Sequence, residues 1–173
     1  YFDSISDIVL NFLIFLAVWY ISNGSLILFF LAFFSVQLQG TLYNYYYVIL
    51  RNNFNGDTTS RIFEHKAPKA LKGEEQAVVN SFFKIYKLLY GAFDNIIYKL
   101  DSSASESSLF PKYFMTALST FGLGFQLLLI GLMLVAGLKD FISLFFIGYS
   151  ALIFIFIGVR KLFWSRLVPH KKK

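Results

Sequence analysis

Two aspartates open this sequence, Asp3 and Asp7 in YFDSISD, four residues apart and directly ahead of the nearly uncharged run IVLNFLIFLAVWYI. On a helix that spacing stacks both carboxylates on one face about one turn apart, where two anions repel each other. Carboxylates so placed have two uses. They can form half of a hard-cation site, which relieves the repulsion and requires oxygen ligands from a second element. Alternatively, Asp3 or Ser4 caps the helix, and an acid in the first turn is favoured by the macrodipole. Other chemistry is scarce. Cysteine is absent, so thiolate metal sites and disulfides are excluded. His65 and His170 stand alone in polar segments, and no Ser/His/Asp or Cys/His pattern is present.

The elements that must carry the aspartates are apolar. Of 173 residues, 57% are hydrophobic, 20% aromatic and only 15% charged, which describes a membrane protein of all-α class. Runs long enough to cross a ~30 Å hydrocarbon core at ~1.5 Å per residue are drawn at residues 2–21, 26–50, 113–138 and 141–163. The first reaches that length only by including Asp3 and Asp7. Between the first two runs lies SNGS, whose Asn-Gly pair marks a tight turn; between the last two lies GLKD, where Gly137 can end a helix. The chain begins with Tyr and shows no basic segment before its first apolar run, which argues against a signal peptide and for residues upstream.

Basic residues fall on one side of this pattern. Residues 51–112 carry nine Lys and Arg, residues 160–173 carry six, and the short turns hold only Lys139. By the positive-inside rule the long segment, the basic tail 164–173 and, by parity, Asp3 and Asp7 are cytoplasmic. The net charge of +6 then reads as topology and anionic-lipid contact, with no nucleic-acid partner. Within 51–112, Asn55-Gly56 has turn chemistry, Asp57 or Thr58 suits a helix N-cap, and Pro68 breaks a polar connector. From residue 74 to 100 apolar residues recur at helical spacing, interleaved with Lys84, Lys87 and Lys99, which predicts an amphipathic helix on the cytoplasmic surface. DSSASESS follows as a flexible link.

The string FDSISDIVLNFL resembles the second half of the signature of the CDP-alcohol phosphatidyltransferase family, D-x-x-D-G-x-x-A-R followed after a spacer by G-x-x-x-D-x-x-x-D. The match covers residues 1–7, and the first half of the signature is not in this sequence. The resemblance implies a six-helix membrane bundle of which the four runs are the last four, with the acids cytoplasmic. It also implies an integral-membrane phosphotransferase of phospholipid synthesis. An acceptor alcohol attacks a CDP-linked donor, and CMP leaves. Asp7 would be the catalytic base, and Asp3 and Asp7 would hold one or two Mg2+ or Mn2+ ions completed by upstream residues.

Further candidates carry two readings each. Asn11 extends the Asp3–Asp7 stripe by a turn and either meets substrate or makes an interhelical hydrogen bond. Gln37, Gln39 and Asn44 line an acceptor cavity or pack between helices. Arg51 and Arg160, with Lys161, hold a substrate phosphate or anchor the helix ends by snorkelling. Gly122 and Gly124 suit close helix approach, internally or in a homodimer. Against the enzyme stands a non-catalytic membrane protein, such as a transporter or complex subunit, in which YFDSISD only begins a helix.

Overall fold

The computed structural model describes residues 1–53, 66–106 and 110–164. The Asn55-Gly56 turn, the caps at Asp57 or Thr58, His65, His170 and residues 165–173 of the basic tail lie outside them. The described residues are helical and contain no strand. In chain order the helices are α1 (Phe2–Ser22), α2 (Leu26–Asn53), α3 (Gln76–Leu100), α4 (Lys112–Leu118), α5 (Leu123–Val135), α6 (Ile142–Tyr149) and α7 (Ala151–Trp164). Three helices are long and apolar enough to cross a membrane, α1, α2 and the run Lys139–Trp164; a fourth span exists if the bent pair α4 and α5 counts as one.

Short local devices turn the chain between the long helices. Asn23 adopts φ 48° and ψ 32°, the left-handed conformation an asparagine tolerates, and ends α1. Ser25 then caps α2, its hydroxyl accepting from the Ile27 amide at 3.2 Å. After α5, Gly137 takes φ +74°, the Leu138 amide donates to the Met133 carbonyl at 2.8 Å, and the Gly137 amide donates to Leu134 at 3.0 Å. That is a Schellman motif, which satisfies the last carbonyls of the helix. The two turns meet, because the Lys139 ammonium donates to the Ile21 carbonyl at 2.9 Å.

Two of the expected straight runs are broken, each for a local reason. Between α4 and α5 the axis bends by 54°. The hydroxyls of Thr116, Ser119 and Thr120 bond back to carbonyls three or four residues earlier, the chain tightens into a 3-10 turn at Ser119–Phe121, and Gly122 is extended at ψ 148°. A Cβ on Gly122 would stand 3.0 Å from the Ser119 carbonyl and 3.7 Å from the Tyr43 ring, so this glycine permits both the bend and a close approach to α2. Gly124 has open space where a side chain would go and makes no such approach. The second break, at Ser150, separates α6 from α7; the Ser150 hydroxyl bonds back to the Phe146 carbonyl at 3.2 Å.

Packing gathers around α2. One apolar cluster joins Phe15 and Val18 of α1 to Phe29, Ala32 and Val36 of α2 and to Ile130, Ile142 and Phe146. The other joins Leu42, Tyr46 and Ile49 of α2 to Ile97, Phe114, Leu118, Phe121, Ile153 and Trp164. Beside the second cluster lies a buried ion pair. Arg160 and Asp101 are 0% and 1% exposed, and their side chains form a salt bridge. The Tyr46 hydroxyl donates to the other Asp101 carboxylate oxygen at 2.5 Å, and Tyr45 donates to the Asp101 carbonyl at 2.9 Å. Asp101 therefore does not begin a flexible link. Residues Ser102–Glu106 form a 3-10 turn, Ala104 is fully buried, and the segment is fastened to α2 and α7 by a charge that has no access to water.

Removing one partner of such a pair leaves the other charged and buried, a loss of about 3–5 kcal/mol. Arg160→Met is expected to lower the thermal unfolding midpoint in detergent sharply, and adding Asp101→Asn to restore part of it. Losses that simply add would show that the two charges do not depend on each other.

Candidate functional site

α1 begins at Phe2 with Tyr1 in the N-cap position and no side-chain cap, so neither Asp3 nor Ser4 serves as the cap. Asp3 lies in the first turn and is exposed; Asp7, one turn further in, is half-buried. The adjacent Ser6 hydroxyl bonds back to the Phe2 carbonyl at 2.9 Å. The two carboxylates thus share a face at the open end of the α1–α2 hairpin, away from the Asn23 turn.

What covers this end is α3. Tyr1 sits against Phe83 and Tyr86, with ring centroids at 5.8 and 5.2 Å, and Phe2 meets Phe82 edge-on at 6.0 Å. Tyr90 stacks on Tyr86 at 5.2 Å and donates its hydroxyl to the Ser4 carbonyl at 2.9 Å. Burial, then the carboxylates of Asp7, Asp94 and Asp3, hold the Tyr90 hydroxyl above its ordinary pKa. It therefore remains a proton donor to Ser4 throughout the neutral range. Tyr86 reaches toward Asp94, with 3.4 Å between hydroxyl and carboxylate.

Tyr90 and Asp94 were not among the sequence candidates, although a signal existed. Tyr86, Tyr90 and Asp94 repeat on α3 the four-residue spacing of Asp3, Asp7 and Asn11 on α1. Two stripes of equal period can lie against each other, but the sequence does not say which helices meet.

The remaining candidates separate. Asn11 is buried, yet makes no side-chain hydrogen bond among the described residues, so the interhelical bond expected of it is not formed. Arg51 is half-buried with its guanidinium 5.5 Å from the Tyr47 ring centroid, a cation–π arrangement. Arg160 is neither a snorkelling anchor nor placed for a substrate phosphate: it is enclosed, pairs with Asp101, and donates to the Ser103 hydroxyl at 2.5 Å. Lys161 donates to the Leu100 carbonyl at 2.8 Å, closing the same junction from outside.

The amides of α2 form a network deeper in the bundle. Gln39 donates to the Phe146 carbonyl at 3.0 Å and the Ser150 hydroxyl at 2.9 Å, covering the carbonyl at the α6–α7 break. Gln126 of α5 donates to the Gln39 side-chain oxygen at 3.1 Å. Gln37 is 3% exposed, and its side-chain nitrogen has no partner among the described residues. Asn44 is exposed. Gln39 therefore packs between helices, whereas Gln37 is a buried donor unpaired among the described residues.

A divalent cation would find two carboxylates on one face at Asp3 and Asp7. Among the described residues no group of three acidic or histidine side chains is arranged to hold a metal. Comparison with family models, with curated proteins and with solved structures gave no match to this chain.

The amide network predicts opposite outcomes for Gln37 and Gln39. Gln39→Leu should cost about 1–2 kcal/mol by removing its bonds with Gln126, the Ser150 hydroxyl and the Phe146 carbonyl, while Gln37→Leu, which removes a donor unpaired among the described residues, should be neutral or stabilising. Unfolding midpoints of the two variants side by side check this; equal losses would contradict it.

Proposed function

We propose that this chain is the catalytic part of an integral-membrane CDP-alcohol phosphotransferase. The observation that carries the reading is the Asp3–Asp7 pair, one turn apart at the start of a membrane-length helix, with Asp7 the deeper and less exposed of the two. In this reading the bent pair counts as a span, the four spans are the last four of six, and the ends bearing Asp3, Asp7 and Arg160 face the cytoplasm. α3 is an amphipathic helix at that surface. The location of fifteen of the sixteen Lys and Arg in residues 51–112 and 160–173 supports that orientation.

The reaction makes one bond to phosphorus and breaks one. The acceptor hydroxyl oxygen attacks the lipid-side phosphorus of the CDP-linked donor, the bond from that phosphorus to the CMP oxygen breaks, and CMP leaves with the electron pair. Asp7 takes the hydroxyl proton, its deeper position facing an acceptor that enters from the helix side. Asp3 would hold a divalent ion, Mg2+ or Mn2+, which when bound would neutralise leaving-group charge. Upstream aspartates of the same signature complete its shell. In this reading Tyr90, whose hydroxyl meets the Ser4 carbonyl between the two aspartates, also belongs to the site. In this reading Arg51, near the end of α2, would meet a donor or acceptor phosphate.

Loss of a general base lowers turnover by about 10²–10⁴-fold. In the full-length protein, Asp7→Asn is expected to reduce CMP release from CDP-diacylglycerol to that extent with donor affinity retained. Asp3→Asn should raise the Mg2+ or Mn2+ concentration needed for half-maximal activity. Unchanged CMP release in Asp7→Asn would remove the assigned base, and a chain active on no CDP-alcohol would leave the non-catalytic reading, a transporter or complex subunit.

A further inference from the structure

α3 uses only part of its apolar surface in packing. Phe93 and Ile97 are buried, and Val79, Phe82, Phe83, Tyr86 and Tyr90 are half-buried. Val78, Ile85, Leu88, Ala92 and Ile96 are exposed, Leu88 by 81%, and their helical spacing keeps them along one edge. A shallow groove of about 240 Å³, lined by Ala77, Val78, Ser81, Phe82 and Ile85, continues that edge. Phe82 in turn meets Phe2, itself 70% exposed at the start of membrane-length α1.

The border of this edge is cationic. Lys84 lies one turn before Leu88 and Lys99 one turn after Ile96, both exposed, with exposed Lys87 further round the helix. Lys66, Lys69 and Lys72 add exposed charge in the connector, which is folded onto the first turn of α3 by Gln76 hydrogen bonds to Ala70 and Pro68. An apolar edge continuous with a membrane-length helix and bordered by lysines matches an anionic lipid leaflet, acyl chains against the edge and phosphates against the ammonium groups. A second copy of the chain would set lysine against lysine.

We propose that anionic lipid seats the outward edge of α3 in the leaflet, and that this seating sets the position of the first turn of α1, and with it Asp3 and Asp7. The link is the Tyr90 hydroxyl on the Ser4 carbonyl, flanked by the Tyr1 and Phe2 ring contacts. Ser4 lies between the two aspartates in the chain, so a shift of α3 moves both. The catalytic consequence of that shift rests on the phosphotransferase reading; the seating and the link do not.

The absence of cysteine allows a direct test in the full-length protein, provided single cysteines are introduced into a background cleared of any others. Leu88→Cys and Ser6→Cys variants are reconstituted in proteoliposomes of phosphatidylcholine alone or mixed with phosphatidylglycerol, and labelled with a water-soluble maleimide. Anionic lipid should slow labelling at both positions several-fold, and high salt should reverse the effect. Lys84→Gln, Lys87→Gln and Lys99→Gln together should remove the lipid dependence at both sites. Tyr90→Phe should remove it at position 6 and leave it at position 88. Equal labelling of position 88 in the two lipids overturns the seating, as does its protection by crosslinking to a second copy. Position 6 indifferent to lipid, or still responsive in Tyr90→Phe, overturns the link. Because these readouts need no turnover, the expected labelling pattern in a protein that releases no CMP would keep this proposal and discard the enzyme.

Discussion

Asp101 and Arg160 have each lost their water, and an ion of either kind loses several kcal/mol of solvation when enclosed in protein, so neither position is tenable without the other. Asp101 is the residue after α3 and Arg160 lies in the last half of α7, so their pairing brings these two ends together. Tyr46 and Tyr45 add α2 to the same point through the remaining carboxylate oxygen and the Asp101 carbonyl. Three segments distant in the chain converge on one residue. The course of α3 depends on that junction: with its C-terminal end fixed beside α2 and α7, its aromatic face lies on the start of α1.

α2 is the common neighbour in this arrangement. Its two halves do different jobs, the first packing by aromatic and aliphatic contact with α1, α5 and α6, the second ending in the tyrosines that meet Asp101. Between them Gln39 reaches α5 and α6. In an apolar interior an amide has few alternatives to its intended partners, so the Gln39 bonds fix the relative height of the helices where Leu and Phe contacts alone would let them slide. The carbonyl they cover, that of Phe146, also accepts from the amide and hydroxyl of Ser150 at the α6–α7 break.

Much of the architecture was legible in the sequence because it follows from local rules. Asn23 and Gly137 mark the turns through backbone conformations that few residues adopt, and the long apolar runs leave no alternative to helix. What escaped is what depends on partners far along the chain. Asp101 looked like the start of a solvated serine-rich link, since nothing local announces an arginine fifty-nine residues away. Arg160 looked like a helix-end anchor for the same reason. The bend at Gly122 had a local signal, three closely spaced hydroxyl residues ahead of a glycine, which hydropathy averages away. At the aspartates the sequence showed the residue pair and its helical face but not its cover. Tyr90 counted as one more apolar position of an amphipathic helix until its hydroxyl met Ser4.

The short turns also bear on how the chain is made. The elements on either side of Asn23–Ser25 and of Ala136–Leu138 are joined with no slack loop between them, so each pair must form as a unit. The charges carried at the tip of the second hairpin are Lys139 and Asp140, which neutralise each other at 2.9 Å. Asp101 lies in the chain between these two turns, so it leaves the ribosome before Arg160 does. Until α7 is in place Asp101 has no guanidinium to meet, and the end of α3 is held by the Tyr45 and Tyr46 bonds to α2. A chain stopped short of Arg160 would have α3, which covers the aspartates, without the ion pair that fixes its end.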